Sequence, residues 1–248
     1  MVPQLERGVA LRASIALILS LAAPLDAAPY SVLVFSKTAG YRHASIPQGI
    51  AALKALGEKA GYAVEATEDA SAFRDDNLKR HAAVVFLSTT GDVLDEMQQQ
   101  AFERYIRAGG GFVGIHSASD TEYDWPWYGR LVGAYFASHP EGTPTAAVRI
   151  VDPGHPSTSA LPVAWVRSDE WYNFKANPRG SVQVLATVDE KTYSGGSMGD
   201  DHPVAWFHEM DGGRAWYTAM GHTGESYAEP LFLRHLLGGI QYSVRAPD

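Results

Sequence analysis

The chain has 248 residues, 46% of them hydrophobic and 19% charged, with 20 Lys+Arg against 28 Asp+Glu and a formal net charge of −8. An ordinary apolar fraction at this length supports a sizeable core and excludes disorder and collagen-like repeats, and the acidic balance leaves no basic footprint for nucleic acid or anionic lipid. The absence of cysteine removes disulfides, Cys-ligated zinc, iron–sulfur clusters and thiol nucleophiles together, leaving nine histidines and six tryptophans as the chemically interesting residues.

At the N-terminus, Arg7 and Arg12 precede an uncharged run over Ala13–Ala23, and small residues follow as far as Ala28. That is the layout of a secretory signal peptide, too short to span a bilayer, with cleavage expected between Ala22 and Ala28. The reading is a leader over 1–28 and a single domain over 29–248. With no cysteine to carry a lipid, the mature protein is expected to be periplasmic or secreted, soluble, and without a membrane anchor.

SVLVFSK (Ser31–Lys37) reads as a first strand and is followed by a glycine-containing loop. Ser45 with Gln48 has the form of a capping box with proline in the first turn; Ile46, Ile50, Leu53 and Leu56 recur at helical spacing until Gly61. Ala63–Asp69 and Ala82–Thr89 read as the second and third strands, the latter apolar enough to be buried on both faces. Asp95 and Gln98 cap another helix, with Met97, Ala101, Tyr105 and Ile106 as its inner face, stopped by Gly109-Gly110-Gly111. Gly111–Ala118 is the fourth strand. This alternation argues for an α/β fold, a mostly parallel sheet flanked by helices.

The second half differs. Ala147–Val151, Ser181–Val188, Val204–Met210 and Arg214–Met220 are strand-like with short Gly- and Pro-rich connections, and Met210-Asp-Gly-Gly-Arg214 reads as a hairpin turn. These predict antiparallel additions to the sheet. Leu231–Val244 closes the chain as a helix.

Two apparent motifs fail on context. Gly109–Gly114 matches G-x-G-x-x-G by letter but enters a strand rather than leaving one, and His208-Glu209 lacks the second histidine of a zincin helix. What survives are ionisable groups just after strands, where ligands bind in such sheets. Tyr41, Arg42 and His43 follow the first strand, Thr90 and Asp92 the third, and His116 and Asp120 the fourth; His222 follows the last. His139 and His202 each precede proline, which favours an extended, rigid backbone. Asp169-Glu170-Trp171-Tyr172 and Trp125-Pro-Trp127-Tyr128 place carboxylates and aromatic rings in the combination that sugar sites use. Histidines with Glu170 also form the donor set of a zinc-, manganese- or iron-type divalent metal site, with His116, His139 and His222 as candidate ligands.

Together, VFSKTAGYRHASIPQG, STTGDVL, GGGFVGIHSASDT, WPWYGRLVGAYFASHP, DEWYNF, DEKTY, DDHPVAW and GRAWYTAMGHTGESY resemble the ThuA-like, or trehalose-utilisation, family from about Ser31 to Val244. The resemblance implies a flavodoxin-like, class I glutamine amidotransferase-like fold. In amidotransferases the strand matching GFVGIH ends in a nucleophilic cysteine on a tight elbow; here His116 or an immediate neighbour takes that place, so glutamine hydrolysis is excluded.

The family is associated with disaccharide catabolism through 3-keto sugars, alongside sugar dehydrogenases that make the ketone, one of which is a candidate partner. A 3-keto group acidifies the C2 hydrogen, so a base can remove it and the aglycone can leave C1 before water adds. On this reading His116, His222, Glu170 and Asp120 are the catalytic candidates, Glu170 serving as acid/base. His43, Trp125, Trp127, Trp171, Tyr172 and Asp92 are the candidates for binding the carbohydrate. The competing readings are a non-catalytic carbohydrate-binding module and a docking partner of a dehydrogenase.

Overall fold

In a computed structural model, Met1 and residues 30–244 are described, so the leader read in the sequence lies outside the described residues apart from its first residue. In chain order the first half consists of β1 (Ser31–Phe35), α1 (Ile46–Ala60), β2 (Ala63–Thr67), α2 (Asp75–Leu78), β3 (Ala83–Leu87), α3 (Glu96–Arg107), β4 (Gly111–Ile115) and α4 (Pro126–Val132). The second consists of β5 (Phe136–Ser138), β6 (Thr145–Ile150), β7 (Ala164–Ser168), β8 (Asn173–Phe174), β9 (Gln183–Val188), β10 (Pro203–Met210), β11 (Gly213–Thr218) and α5 (Pro230–Ser243).

Nine strands form one sheet in the order β2-β1-β3-β4-β11-β10-β9-β6-β7, while β5 and β8 make a separate two-stranded ribbon. β2, β1, β3, β4 and β11 are mutually parallel. β10, β9, β6 and β7 extend the sheet with antiparallel pairings. The expected mixed architecture is therefore present, and its parallel part carries the flavodoxin-like strand order. The reversal from β10 into β11 follows from Asp211 and Gly212, both at positive φ (53° and 100°), the backbone that a tight two-residue hairpin requires.

Alternation along the central strands sets the layers. Phe86 of β3 stacks on Phe102 of α3 at 5.5 Å between ring centroids, whereas its neighbour Leu87 lies against Gly49 of α1. Successive strand residues point to opposite faces, so α1 and α3 cover opposite sides of the sheet. Phe35, Phe73, Phe112 and Tyr128 complete the aromatic cluster around Phe86, each such buried ring contributing about 1.5–3 kcal/mol.

Several details depart from the sequence reading. Asp95 and Gln98 form the expected capping box, but Ser45 does not: it has helical backbone angles and its hydroxyl donates to the Gly221 carbonyl at 3.3 Å. Met97 is exposed, and Phe102 takes its place on the inner face of α3. The first four strands end earlier than expected, at Phe35, Thr67, Leu87 and Ile115. The elements α2, α4, β5, β7 and β8 have no counterpart in the sequence reading.

α5 packs on β11 where Gly239 meets Trp216; an added Cβ would lie 2.4 Å from the indole. Beside it, His235 is fully buried and donates its Nδ1 proton to the Ser157 carbonyl at 2.9 Å. Burial lowers the His235 imidazole to about 3 and the buried His155 imidazole to about 4. Unfolding returns both to the ordinary range near 6.5, so the unfolded chain binds more protons in between and stability falls as pH drops. Each such histidine is expected to remove about 2 kcal/mol between pH 7 and pH 5. Urea unfolding across that range measures the slope, which His235→Asn should reduce; a slope unchanged in the variant would contradict the assignment.

Candidate functional site

Parallel strands place their carboxyl ends on one rim. His43 lies on the loop after β1, His116 directly follows β4, and His222 lies on the loop after β11. Glu170 follows β7, at the far edge of the sheet, and is brought back by its neighbour. The buried Asp169 carboxylate accepts the backbone N–H groups of Glu170 (2.9 Å), Gly221 (2.9 Å) and His222 (3.1 Å) and pairs with Arg167 Nη2 at 3.0 Å. Arg167 is itself buried, with its guanidinium carbon 4.7 Å from the ring centroids of both Trp165 and Phe232. This pair ties the β7 and β11 loops together. Gly221 fits the junction because its φ is 116° and a Cβ there would come within 2.9 Å of the Tyr227 hydroxyl.

His116 occupies the elbow itself, with a φ of 54° that is unusual for a residue bearing a side chain. Tyr217 donates to its carbonyl at 2.8 Å, and its own Nδ1 is 2.8 Å from the Ala219 carbonyl. A carbonyl oxygen has no proton to give, so the imidazole carries its proton on Nδ1 and in its neutral form presents a lone pair at Nε2.

That Nε2 is 3.1 Å from His43 Nε2, 3.2 Å from His222 Nδ1 and 3.4 Å from Glu170 Oε2. His222 Nδ1 is also 3.1 Å from Glu170 Oε2. His43 Nδ1 contacts the Ser117 hydroxyl at 3.3 Å. One donor atom from each of His43, His116, Glu170 and His222 lies within 4.8 Å of the others, the arrangement that could hold a metal ion. Burial, reinforced by the neighbouring His116 and His222, lowers the His43 imidazole to about 3. Burial would raise the Glu170 carboxyl, but hydrogen bonds and charge from His116 and His222 outweigh it and hold it well below the usual range. His222 is raised, chiefly by its hydrogen bond to Glu170.

The cluster opens on a cleft of about 420 Å³, a volume within the range of small-molecule sites. Tyr41, Asp120, Phe136, His139 and Tyr172 share its lining with His43, Glu170 and His222. Asp120 accepts from the Tyr123 hydroxyl at 2.7 Å, and burial raises its carboxyl despite that bond. Tyr172 lies over His116 at 4.4 Å and against Phe136 at 4.3 Å between centroids.

The structure thus brings together His43, His116, Asp120, His139, Glu170, Tyr172 and His222 from the sequence candidates. The others lie elsewhere. Trp125 and Trp127 stack on each other and donate to Glu103 and Asp211, packing α4 onto α3 and the hairpin turn instead of forming a sugar platform. Trp171 is fully buried and bonds the Pro144 carbonyl; Asp92 is exposed outside the cleft lining. His139 is not in the four-donor group: its Nδ1 faces the Pro140 carbonyl at 2.8 Å and Glu170 Oε1 at 3.2 Å, so that atom carries a proton. His202 bonds Glu190 and the Tyr172 carbonyl, and so supports the cleft wall from behind. Two lining residues were missed as site candidates. Tyr41, 66% exposed at the cleft, was visible in the strand-end set, whereas Phe136 lies on a three-residue strand with no periodic signal.

The family described as ThuA, trehalose utilisation, matches residues 31–243. Among solved structures, a ThuA-like protein from Bacteroides uniformis is 24% identical with a TM-score of 0.75, covering 96% of this chain and 97% of that one. A second, from Parabacteroides merdae, is 21% identical with a TM-score of 0.72, covering 87% and 90%. A β-galactosidase from Bacillus circulans sp. alkalophilus is 16% identical with a TM-score of 0.57; the match covers 88% of this chain but 31% of that one, a likeness of fold alone. No curated protein matches.

Proposed function

Because the chain belongs to the ThuA (trehalose-utilisation) family, we propose that its cleft binds a sugar and cleaves a 3-keto glycoside by proton abstraction and elimination. The observation that carries the reading is Asp120: a carboxyl raised by burial, fixed by Tyr123, on the wall of a cleft that also exposes the histidine cluster. A base with a raised pKa is the kind needed to take a proton from carbon near neutral pH.

Asp120, as the carboxylate, takes the C2 hydrogen. The C–H electron pair forms the C2–C3 double bond of an enediolate, and His222, the imidazole whose protonated form is favoured by its bond to Glu170, faces the oxygen on which charge gathers. Reformation of the ketone shifts the C2–C3 pair into a C1–C2 double bond and expels the aglycone from C1, its oxygen taking a proton from the outer nitrogen of the His139 imidazolium, whose side chain is 38% exposed. Water then adds across C1–C2, its hydroxyl to C1 and its hydrogen to C2, and Asp120 gives up the proton it took to solvent. Phe136 and Tyr41 offer ring faces to the sugar, and Tyr172, packed against Phe136 and His116, backs the cleft wall. Glu170, with both oxygens occupied by histidines, acts as their charge partner; the acid/base role expected for it passes to Asp120. In this proposal the leader directs the protein out of the cytoplasm, and a sugar dehydrogenase supplies the ketone.

Incubation with a 3-keto glycoside bearing a chromogenic aglycone tests the reading. Release well above the rate in buffer is expected. Binding of the glycoside without release would leave a carbohydrate-binding module and remove the enzyme reading.

A further inference from the structure

Around His116 Nε2 the structure gathers four possible metal-ligating atoms, all within 4.8 Å of one another. Nε2 of His116 carries no proton in the neutral ring, because Nδ1 is committed to the Ala219 carbonyl. Glu170 Oε2 is an acceptor only. These two atoms are 3.4 Å apart, and His43 Nε2 and His222 Nδ1 lie at 3.1 and 3.2 Å from His116 Nε2. A single central cation would satisfy all four donors at once.

Metal bonds of about 2.0–2.2 Å at the tetrahedral angle separate neighbouring ligand atoms by about 3.3–3.6 Å. The contacts of 3.1–3.4 Å are close to that spacing. From this geometry we infer that His43 Nε2, His116 Nε2, His222 Nδ1 and Glu170 Oε2 form a binding site for one divalent transition-metal ion. Three imidazole nitrogens and one carboxylate suit Zn²⁺, Mn²⁺ or Fe²⁺, whereas Ca²⁺ and Mg²⁺ prefer all-oxygen shells.

The surroundings match a built centre. The Ala219 carbonyl orients His116, the Ser117 hydroxyl contacts the outer nitrogen of His43, and Asp169 fixes the His222 backbone. His139 bonds the other oxygen of Glu170. Outer partners of this kind set ring orientation and tautomer in metal sites. The ligands come from four separate loops, and His43, Glu170 and His222 also line the cleft, so the ion would be accessible to a bound molecule. This inference stands apart from the sugar reading, because its test uses the metal alone.

The full chain, purified without a His tag, is stripped with a chelator and titrated separately with Zn²⁺, Mn²⁺ and Fe²⁺ (the last without oxygen). One equivalent is expected to bind and to raise the melting temperature, and Co²⁺ is expected to give visible absorption from a nitrogen- and oxygen-ligated centre. His222→Ala and Glu170→Gln should each weaken Zn²⁺ binding by about 100-fold or more while circular dichroism stays native, and His139→Ala should still take up one equivalent. Binding well below one equivalent for every ion, or stoichiometric binding that survives the His222→Ala/Glu170→Gln double change, would overturn the site. Metal uptake without aglycone release would sink the sugar reading alone, and release by fully metal-free protein would sink a role for the ion in that reaction.

Discussion

Replacing Asp120 by asparagine is expected to slow aglycone release from a 3-keto glycoside by about 10²- to 10⁴-fold, the usual contribution of a positioned general base. The substitution keeps an oxygen to accept from the Tyr123 hydroxyl and removes a charge that burial disfavours, so folding should be preserved. The pH profile supplies a second signature. Asp120 works as a base only when deprotonated, and its carboxyl is raised, so kcat/KM should climb with pH through a value above the ordinary carboxylate range. That acidic limb should vanish in the variant's residual activity. A variant that kept more than a tenth of the wild-type rate with the same limb would remove Asp120 from the chemistry.

The second large effect is structural. Asp169→Ala is expected to cost about 3–5 kcal/mol, because it leaves Arg167 buried without its closest carboxylate. It also strips the acceptor from the backbone N–H groups of Glu170, Gly221 and His222. Glu229 Oε2, 3.4 Å from Arg167 Nη2, offsets part of the loss and sets the lower end of that range. Urea unfolding measures the change directly. A cost below about 1 kcal/mol would mean that the pair does not brace the two loops. Since Asp169 orients the His222 loop, the variant should also lose cleavage activity at temperatures where it remains folded.

The parallel half of the fold was legible because local pattern and tertiary role coincide there. Ala83–Leu87 is apolar throughout and is buried on both faces, while Asp95 with Gln98 opens α3 as its sequence suggests. The short elements were not legible, because a two- or three-residue strand such as Asn173–Phe174 carries no period. For the site, strand-end position was the useful signal: it selected His43, His116, Asp120 and His222 before any geometry was known. Aromatic clustering misled, since Trp125, Trp127 and Trp171 serve packing, and nothing in local sequence separates a stacking platform from a buried ring. Nor could spacing reveal that His139 bonds Glu170 while His43 joins His116, because residues 43, 116, 170 and 222 meet only through the sheet order and the Asp169 brace.

The most direct test of the account is the fate of the C2 hydrogen when the wild-type protein acts on a 3-keto glycoside carrying deuterium at C2. The account predicts that the label is lost to solvent as the aglycone is released, that release is slowed by a primary isotope effect if proton removal limits the rate, and that Asp120→Asn slows label loss and release together by about 10²- to 10⁴-fold. Release with the C2 deuterium fully retained would contradict it, since the bond whose breaking Asp120 is assigned to promote would never have broken.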